Sequence, residues 1–179
     1  MNALVIDLRL AQMKADATQR SRTITWEDPL AAVRAAPGKS GLELMQELFG
    51  GSFPPPPIAR TLAFNGVEVE EGRAVFEGEP AEFMYNPIGV VHGGWAMTLL
   101  DSALGCAIHT TLAAGEGYTT IETKVNFIRP ITEDTGRVRC EGKVVHRGGR
   151  VAVAEGKLVA KSTGKLLAYG TSTCLVVRQ

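Results

Sequence analysis

One carboxylate, one histidine and a pair of glycines are spaced in this chain so as to act on a carbonyl group. The run Asn86-Pro-Ile-Gly-Val-Val-His92-Gly93-Gly94 leads directly into Trp95-Ala-Met-Thr-Leu-Leu-Asp101, which places an acid in a stretch that reads as an apolar helix over residues 95–112. Apolar residues cover most of that helix's circumference, the pattern of a helix surrounded by protein rather than lying on a surface. An ionised Asp held there without partners is costly. At three- and four-residue spacing Asp101 shares a stripe with Gly94, Thr98, Gly105 and His109. A narrow seam of small and polar residues therefore runs down a hydrophobic rod, and something polar or mobile must face it.

The start of the helix adds a second chemical element. Two glycines after His92 leave the first backbone N–H groups uncrowded at the positive end of the helix dipole, where a carbonyl oxygen can be polarised. The helical rise puts Asp101 roughly 13 Å from that end, too far for one helix to bring both groups to one carbon. A facing helix from a second copy of the chain could supply the carboxylate, so the spacing points to a site shared between subunits. Without further context, Asp101 reads first as a structural acid that holds neighbouring backbone, His92 as a cap or a satisfied core histidine, and His109 as structural.

The remaining elements must position these groups. Before Pro54 the pattern is helical: Leu4, Leu8 and Ala11 share a face, Asp28-Pro29 reads as an N-cap with proline in the first turn, and Ser40-Gly-Leu-Glu43 resembles a capping box whose helix stops at Gly50-Gly51. Prolines 54 to 57 predict an extended break. The division expected there is a helical extension with its Pro-rich linker over residues 1–58 and a domain over 59–179. Strands are expected over residues 60–70 and 73–78, then, after the long helix, over 118–129, 137–146, 151–161 and 166–177. Turns at Arg147-Gly148-Gly149 and Thr163-Gly164 make the last three strands hairpins, so the sheet should be antiparallel. The fold class is α+β, a curved antiparallel sheet wrapping one long central helix.

Composition excludes several classes of function. The 179 residues are 45% hydrophobic and 21% charged with a formal net charge of zero, and the basic residues are scattered, so no footprint for nucleic acid or an anionic membrane is visible. No apolar run reaches the length of a membrane span and no signal-peptide pattern opens the chain, so a cytoplasmic location is expected. Cys106, Cys140 and Cys174 lack a CxxC or a nearby His pair. Neither a disulfide framework nor a metal site is expected from them.

The NxxGxxHGG run, Asp101 nine residues after His92, the late hairpins and the element order together resemble the PaaI-type (phenylacetate-degradation) branch of the hotdog-fold acyl-CoA thioesterases, over about residues 60–177. The resemblance implies a homodimer in which two sheets join and two central helices lie side by side, with two sites at the interface, and often a dimer of dimers (homotetramer). It implies that the Gly93 backbone N–H and the Asn86 side chain polarise a thioester carbonyl, while Asp101 of the other subunit either attacks it or activates water; the general base is slightly favoured. His92 would orient Asn86 or sit near the thioester sulfur. Thr120, or Thr119 one position away, corresponds to a hydroxyl that positions water in some relatives. Coenzyme A enters as part of the substrate, and no separate cofactor is implied.

The phosphates of coenzyme A need cations and N–H donors, and the turn Arg147-Gly148-Gly149-Arg150 offers both. The same residues would serve equally as a soluble hairpin tip. The acyl chain is expected against Phe83, Met84, Trp95 and residues 53–57. Hydrolysis of an acyl-CoA to free acid and CoA is the function expected, with no nucleic-acid or membrane partner. A non-catalytic acyl-CoA sensor on the same fold is the alternative, and it would not require Asp101.

Overall fold

The computed structural model describes residues 20–178. The expected helical face of Leu4, Leu8 and Ala11 lies outside them. Three short helices come first: α1 (Ala31–Ala35), α2 (Gly41–Phe49) and α3 (Pro57–Leu62). Ser40 opens α2 with a full capping box, its hydroxyl accepting from the Glu43 N–H while the Glu43 carboxylate accepts from the Ser40 N–H at 2.8 Å. Asp28 does not cap α1 itself; it accepts from the Leu30 N–H at 2.9 Å and pairs with Arg34, and the helix begins only at Ala31.

The proline run behaves differently from the expected unbroken linker. Pro56 is extended, Pro57 starts α3, and the helix ends at Ala63 in the left-handed conformation (φ 51°). Residues 60–62 are therefore helical, and the first strand starts only at Phe64. Proline at the first helical position loses no hydrogen bond and presets φ, which is why the last proline initiates structure that the first three prevent.

Strands β1 (Phe64–Glu70) and β2 (Arg73–Gly78) form a hairpin, the central helix α4 runs from Gly93 to His109, and β3 (Glu116–Phe127), β4 (Val138–Arg147), β5 (Val151–Ala160) and β6 (Leu166–Arg178) complete one antiparallel sheet in the order β1-β2-β4-β5-β6-β3. The sheet curls around α4. Leu99, Leu100, Ala103, Leu104, Ala107 and Ile108 of the helix are fully buried against Ala74, Val138, Cys140, Ala154, Leu158 and Ala168 of the strands. Alanines on both faces, Ala103 and Ala107 of the helix and Ala74, Ala154 and Ala168 of the sheet, allow the close approach.

The helix is not encased on every side, contrary to its apolar reading. Asp101 is exposed, Met97 one turn before it is 40% exposed, and the open stripe runs along the seam predicted from the sequence. Strand β3 borders this stripe. It pairs only with β6, so a twelve-residue strand edge stays open, and it carries Ile121 at 59% exposure. An open edge of that length is a template for pairing with another chain. Among the described residues, no helix is long and apolar enough to cross a membrane.

Candidate active site

Two clusters of chemically able groups lie along α4, one at its N-terminus and one in its middle. The first is built by the loop before the helix. Asn86 closes a tight turn, its N–H donating to the Val90 carbonyl at 2.8 Å while its Oδ1 accepts from the N–H groups of Ile88 (3.1 Å) and Val90 (3.3 Å). The side-chain oxygen is thereby occupied, and the Asn86 amide nitrogen keeps its two hydrogens unclaimed among the described residues. His92 caps the helix through Nδ1, which accepts from the Gly94 N–H at 2.8 Å. That bond places the imidazole proton on Nε2.

Backbone accounting then singles out one donor. Gly94 N–H goes to His92 Nδ1 and Trp95 N–H to the His92 carbonyl at 3.0 Å, which leaves the Gly93 N–H without an acceptor among the described residues. It opens on a cleft of about 450 Å³ lined by Asn86, Val91, Phe127, Arg129 and Ile131 among others. A side chain at Gly93 would come within 3.0 Å of the Phe127 ring. The glycine keeps this donor open.

Asp101 lies eight residues on, about 12 Å along the axis. Its Oδ1 accepts from the Thr123 hydroxyl at 3.2 Å, and the same hydroxyl lies 3.3 Å from Ser172 Oγ, which in turn donates to the Glu122 carbonyl at 2.9 Å. The carboxylate thus sits at the mouth of a second cavity of about 400 Å³, with Ser102, Cys106 and Tyr118 beside it. Burial, and then the charge of Asp101, push the Cys106 thiol up to about 12. Burial likewise raises the Tyr118 phenol well above its ordinary value. Both groups stay neutral near pH 7.

The hydroxyl beside the carboxylate is one that sequence reasoning missed. Thr120 Oγ1 sits 3.8 Å from Cys174 Sγ, Thr119 is exposed, and it is Thr123 that reaches Asp101. A register shift between Thr120 and Glu122 in the β3–β6 pairing changes which residues point toward the helix. Strict alternation along the strand does not contain that bulge.

The Arg147 turn is only partly available. Arg147 pairs with Glu116 at 2.6 Å and donates to the Gly148 carbonyl, and the Gly148 N–H is taken by the Val151 carbonyl at 2.8 Å. Arg150 is exposed with no side-chain partner among the described residues. The apolar residues expected around an acyl chain also separate. Trp95 and Met84 are in the core, the Trp95 indole N–H donating to the Leu62 carbonyl at 2.8 Å, and Phe83 lies under the Arg22 guanidinium at 3.9 Å. Phe53, Pro55 and Pro56 do line the Asp101 cavity. His109 packs edge-on against Tyr118 with ring centroids 5.6 Å apart, and burial lowers its pKa. No group of three or more His, Cys, Asp or Glu side chains among the described residues is arranged to hold a metal ion.

Comparison with known proteins gives the family and the fold. The thioesterase superfamily profile matches residues 88–167. A protein of Saccharolobus solfataricus that carries an esterase name is 37% identical over 112 residues, 59% of this chain and 78% of that protein. The 1,4-dihydroxy-2-naphthoyl-CoA hydrolase of Listeria monocytogenes is 26% identical over 56% of this chain and 80% of its own length. Among solved structures, a phenylacetic acid degradation-related thioesterase of Ralstonia eutropha superimposes with a TM-score of 0.65 at 28% identity, covering 73% of this chain and 97% of that one. A mutant form of the phenylacetic acid degradation protein PaaI of Thermus thermophilus gives 0.60 at 28% identity over 66% of this chain and 97% of its own. The sheet that wraps α4 is the hotdog fold, and the chain belongs to the thioesterase superfamily, among its PaaI-type members.

Proposed function

We propose that this protein hydrolyses acyl-CoA thioesters to a free acid and CoA, in a domain spanning residues 59–179 to which residues 1–58 are an extension. Membership of the thioesterase superfamily carries thioester hydrolysis in general. The observation that supports the specific reading is that the unclaimed Gly93 N–H and the exposed Asp101 carboxylate both face strand β3, beside Phe127 and Thr123, about 12 Å apart along the helix axis. Two antiparallel copies of α4, brought together along the open β3 edges, would set Gly93 of one copy against Asp101 of the other.

In that arrangement the Gly93 N–H and the Asn86 amide nitrogen donate to the thioester carbonyl oxygen. Asp101 of the partner subunit takes a proton from water as the water oxygen bonds to the carbonyl carbon. The tetrahedral oxyanion is held by the same two donors, and its collapse breaks the C–S bond and releases CoA thiolate, which recovers the proton. Thr123 keeps one carboxylate oxygen oriented and leaves the other for water. His92 fixes the helix entry through its cap on the Gly94 N–H. Arg150, exposed at its hairpin tip, would meet a phosphate of CoA, and Thr120 belongs to the strand that would form the seam between copies.

The test is release of free thiol from a panel of purified acyl-CoAs by the natural protein and by Asp101→Asn. The amide keeps the oxygen that accepts from Thr123 but takes no proton, so turnover should fall by about 10² to 10⁴ while thermal unfolding stays unchanged. An undiminished kcat in Asp101→Asn removes the carboxylate from the chemistry.

A further inference from the structure

The cavity beside Asp101 is large and mainly apolar, with the polar side chains of Asn65, Asp101, Ser102 and Tyr118 in its lining. Its volume of about 400 Å³ compares with roughly 150 Å³ for a cavity that accepts benzene. Ser102 and Cys106 form its helix side, one turn apart on the same stripe, so the space runs on from Asp101 toward the C-terminal half of α4. Phe64, Phe76 and Tyr118 form the sheet side, and Phe49, Phe53 and Pro55 close it from the N-terminal extension.

The extension is docked by specific contacts. The Gly41 N–H donates to the Leu112 carbonyl at 2.9 Å, just beyond the end of α4. Phe49 meets Phe76 edge to face with ring centroids 5.2 Å apart, and its ring covers Gly66, where a Cβ would lie only 2.5 Å away. Phe53 stands at the lip with the Lys39 ammonium 5.6 Å from its ring, and Lys39 is itself paired with Glu47. A pantetheine arm brings two amides that must each find one of the few polar groups of this lining, whereas an apolar acyl group loses no hydrogen bond by entering.

Resting on the thioesterase reading above, we propose that residues 41–59 are the acyl-selectivity wall of the enzyme. The acyl group occupies the cavity of the subunit that supplies Asp101, and Phe49, Phe53 and Cys106 set the size it accepts. The coenzyme A arm then approaches from the side of the partner's Gly93. Phe49 and Phe53 belong to the extension and Cys106 to the helix, so selectivity is decided where the two meet.

The experiment measures kcat/KM for straight-chain acyl-CoAs from butyryl to decanoyl with the natural protein, Cys106→Phe and Phe53→Ala. Burial of each added methylene is worth about fourfold, so the natural protein should favour decanoyl over butyryl until the cavity is full. Cys106→Phe, which fills about a ring's volume, should lower the decanoyl-to-butyryl ratio by about tenfold or more, and Phe53→Ala should raise it several-fold. Phe53 is a half-buried linker residue, so its variant preserves the test if Cys106→Phe does not fold. Ratios within about twofold of the natural protein's in the folded variants overturn the proposal. Calorimetric titration with the free butyric to decanoic acids reads the wall without turnover. Affinity that climbs with length and flattens in Cys106→Phe supports the wall even if no CoA thioester is cleaved, in which case hydrolysis alone fails, and affinity independent of length overturns the wall.

Discussion

Gly41→Ala separates the docking of the extension from the folding of the domain beneath it. A Cβ at Gly41 would stand 1.8 Å from the His109 carbonyl oxygen, where ordinary contact begins at 3.4 Å, so α2 must lift by about 1.6 Å. That shift breaks the Gly41–Leu112 hydrogen bond, worth about 1 kcal/mol, and opens the Phe49–Phe76 edge contact, worth about 0.5–1.5 kcal/mol. Partial exposure of Leu44 and Met45, both buried in α2, brings the loss to roughly 2–4 kcal/mol. If that loss is local, the opening equilibrium of α2 grows by about 30- to 700-fold. Hydrogen exchange followed by mass spectrometry should show this acceleration in peptides spanning residues 41–49, while peptides from β4 and β5 keep their protection. Exchange at α2 within about threefold of the natural protein's would refute the reasoning, because no backbone adjustment smaller than the lift relieves a carbonyl contact of that closeness.

Other perturbations probe the site, the arginines and the acid limb of stability. Mixed dimers of Gly93→Val and Asp101→Asn chains should recover about half the activity of the natural dimer, since one of two shared sites regains both groups; thiol release no higher than from either parent would place each site within a single chain. Arg147→Ala should lower thermal stability by leaving the half-buried Glu116 only the Ala113 N–H and the more distant Arg178, whereas Arg150→Ala should raise KM for acyl-CoA more than for the matching acyl-pantetheine. Stability against pH should fall steeply from about pH 4.5 toward pH 2. Hydrogen bonds from Arg139 and then Arg73 hold the Glu68 carboxyl down to about 2, and the Lys161 and Arg139 pairs outweigh burial at Glu77 to lower it as well. A carboxyl depressed in the folded state contributes stability above its unfolded pKa and loses it as pH falls through the folded one. Glu68→Gln should flatten that slope, and an unchanged slope would separate these pairs from acid stability.

Much of the fold is legible in the sequence because its signals are local. The Ser40–Glu43 capping box, the Gly50-Gly51 stop and the hairpins closed at Gly148-Gly149 and Gly164 each depend on neighbouring residues, and each stands where the pattern puts it. The structure departs from the pattern where local signals compete. Pro57 both ends an extended run and starts a helix, and only packing of α3 against β1 selects the second outcome for residues 57–62. Helix α4 reads as buried on all sides because, in the proposed dimer, the face a partner would cover carries apolar residues too.

The amino-acid sequence by itself determined the element order, the glycine-rich entry to α4 and the distance between that entry and Asp101, since helical rise and cap chemistry follow from residue type and spacing alone. Tertiary structure decided which hydroxyl meets the carboxylate, which arginine is free and what walls the cavity. Thr123 reaches Asp101 because a bulge shifts the phase of β3, Arg147 is drawn to Glu116 from another strand, and residues 48–56 line the Asp101 cavity only once the extension has folded back onto the domain. Each of these joins residues far apart in the chain, and no local propensity encodes a contact whose partner lies tens of positions away.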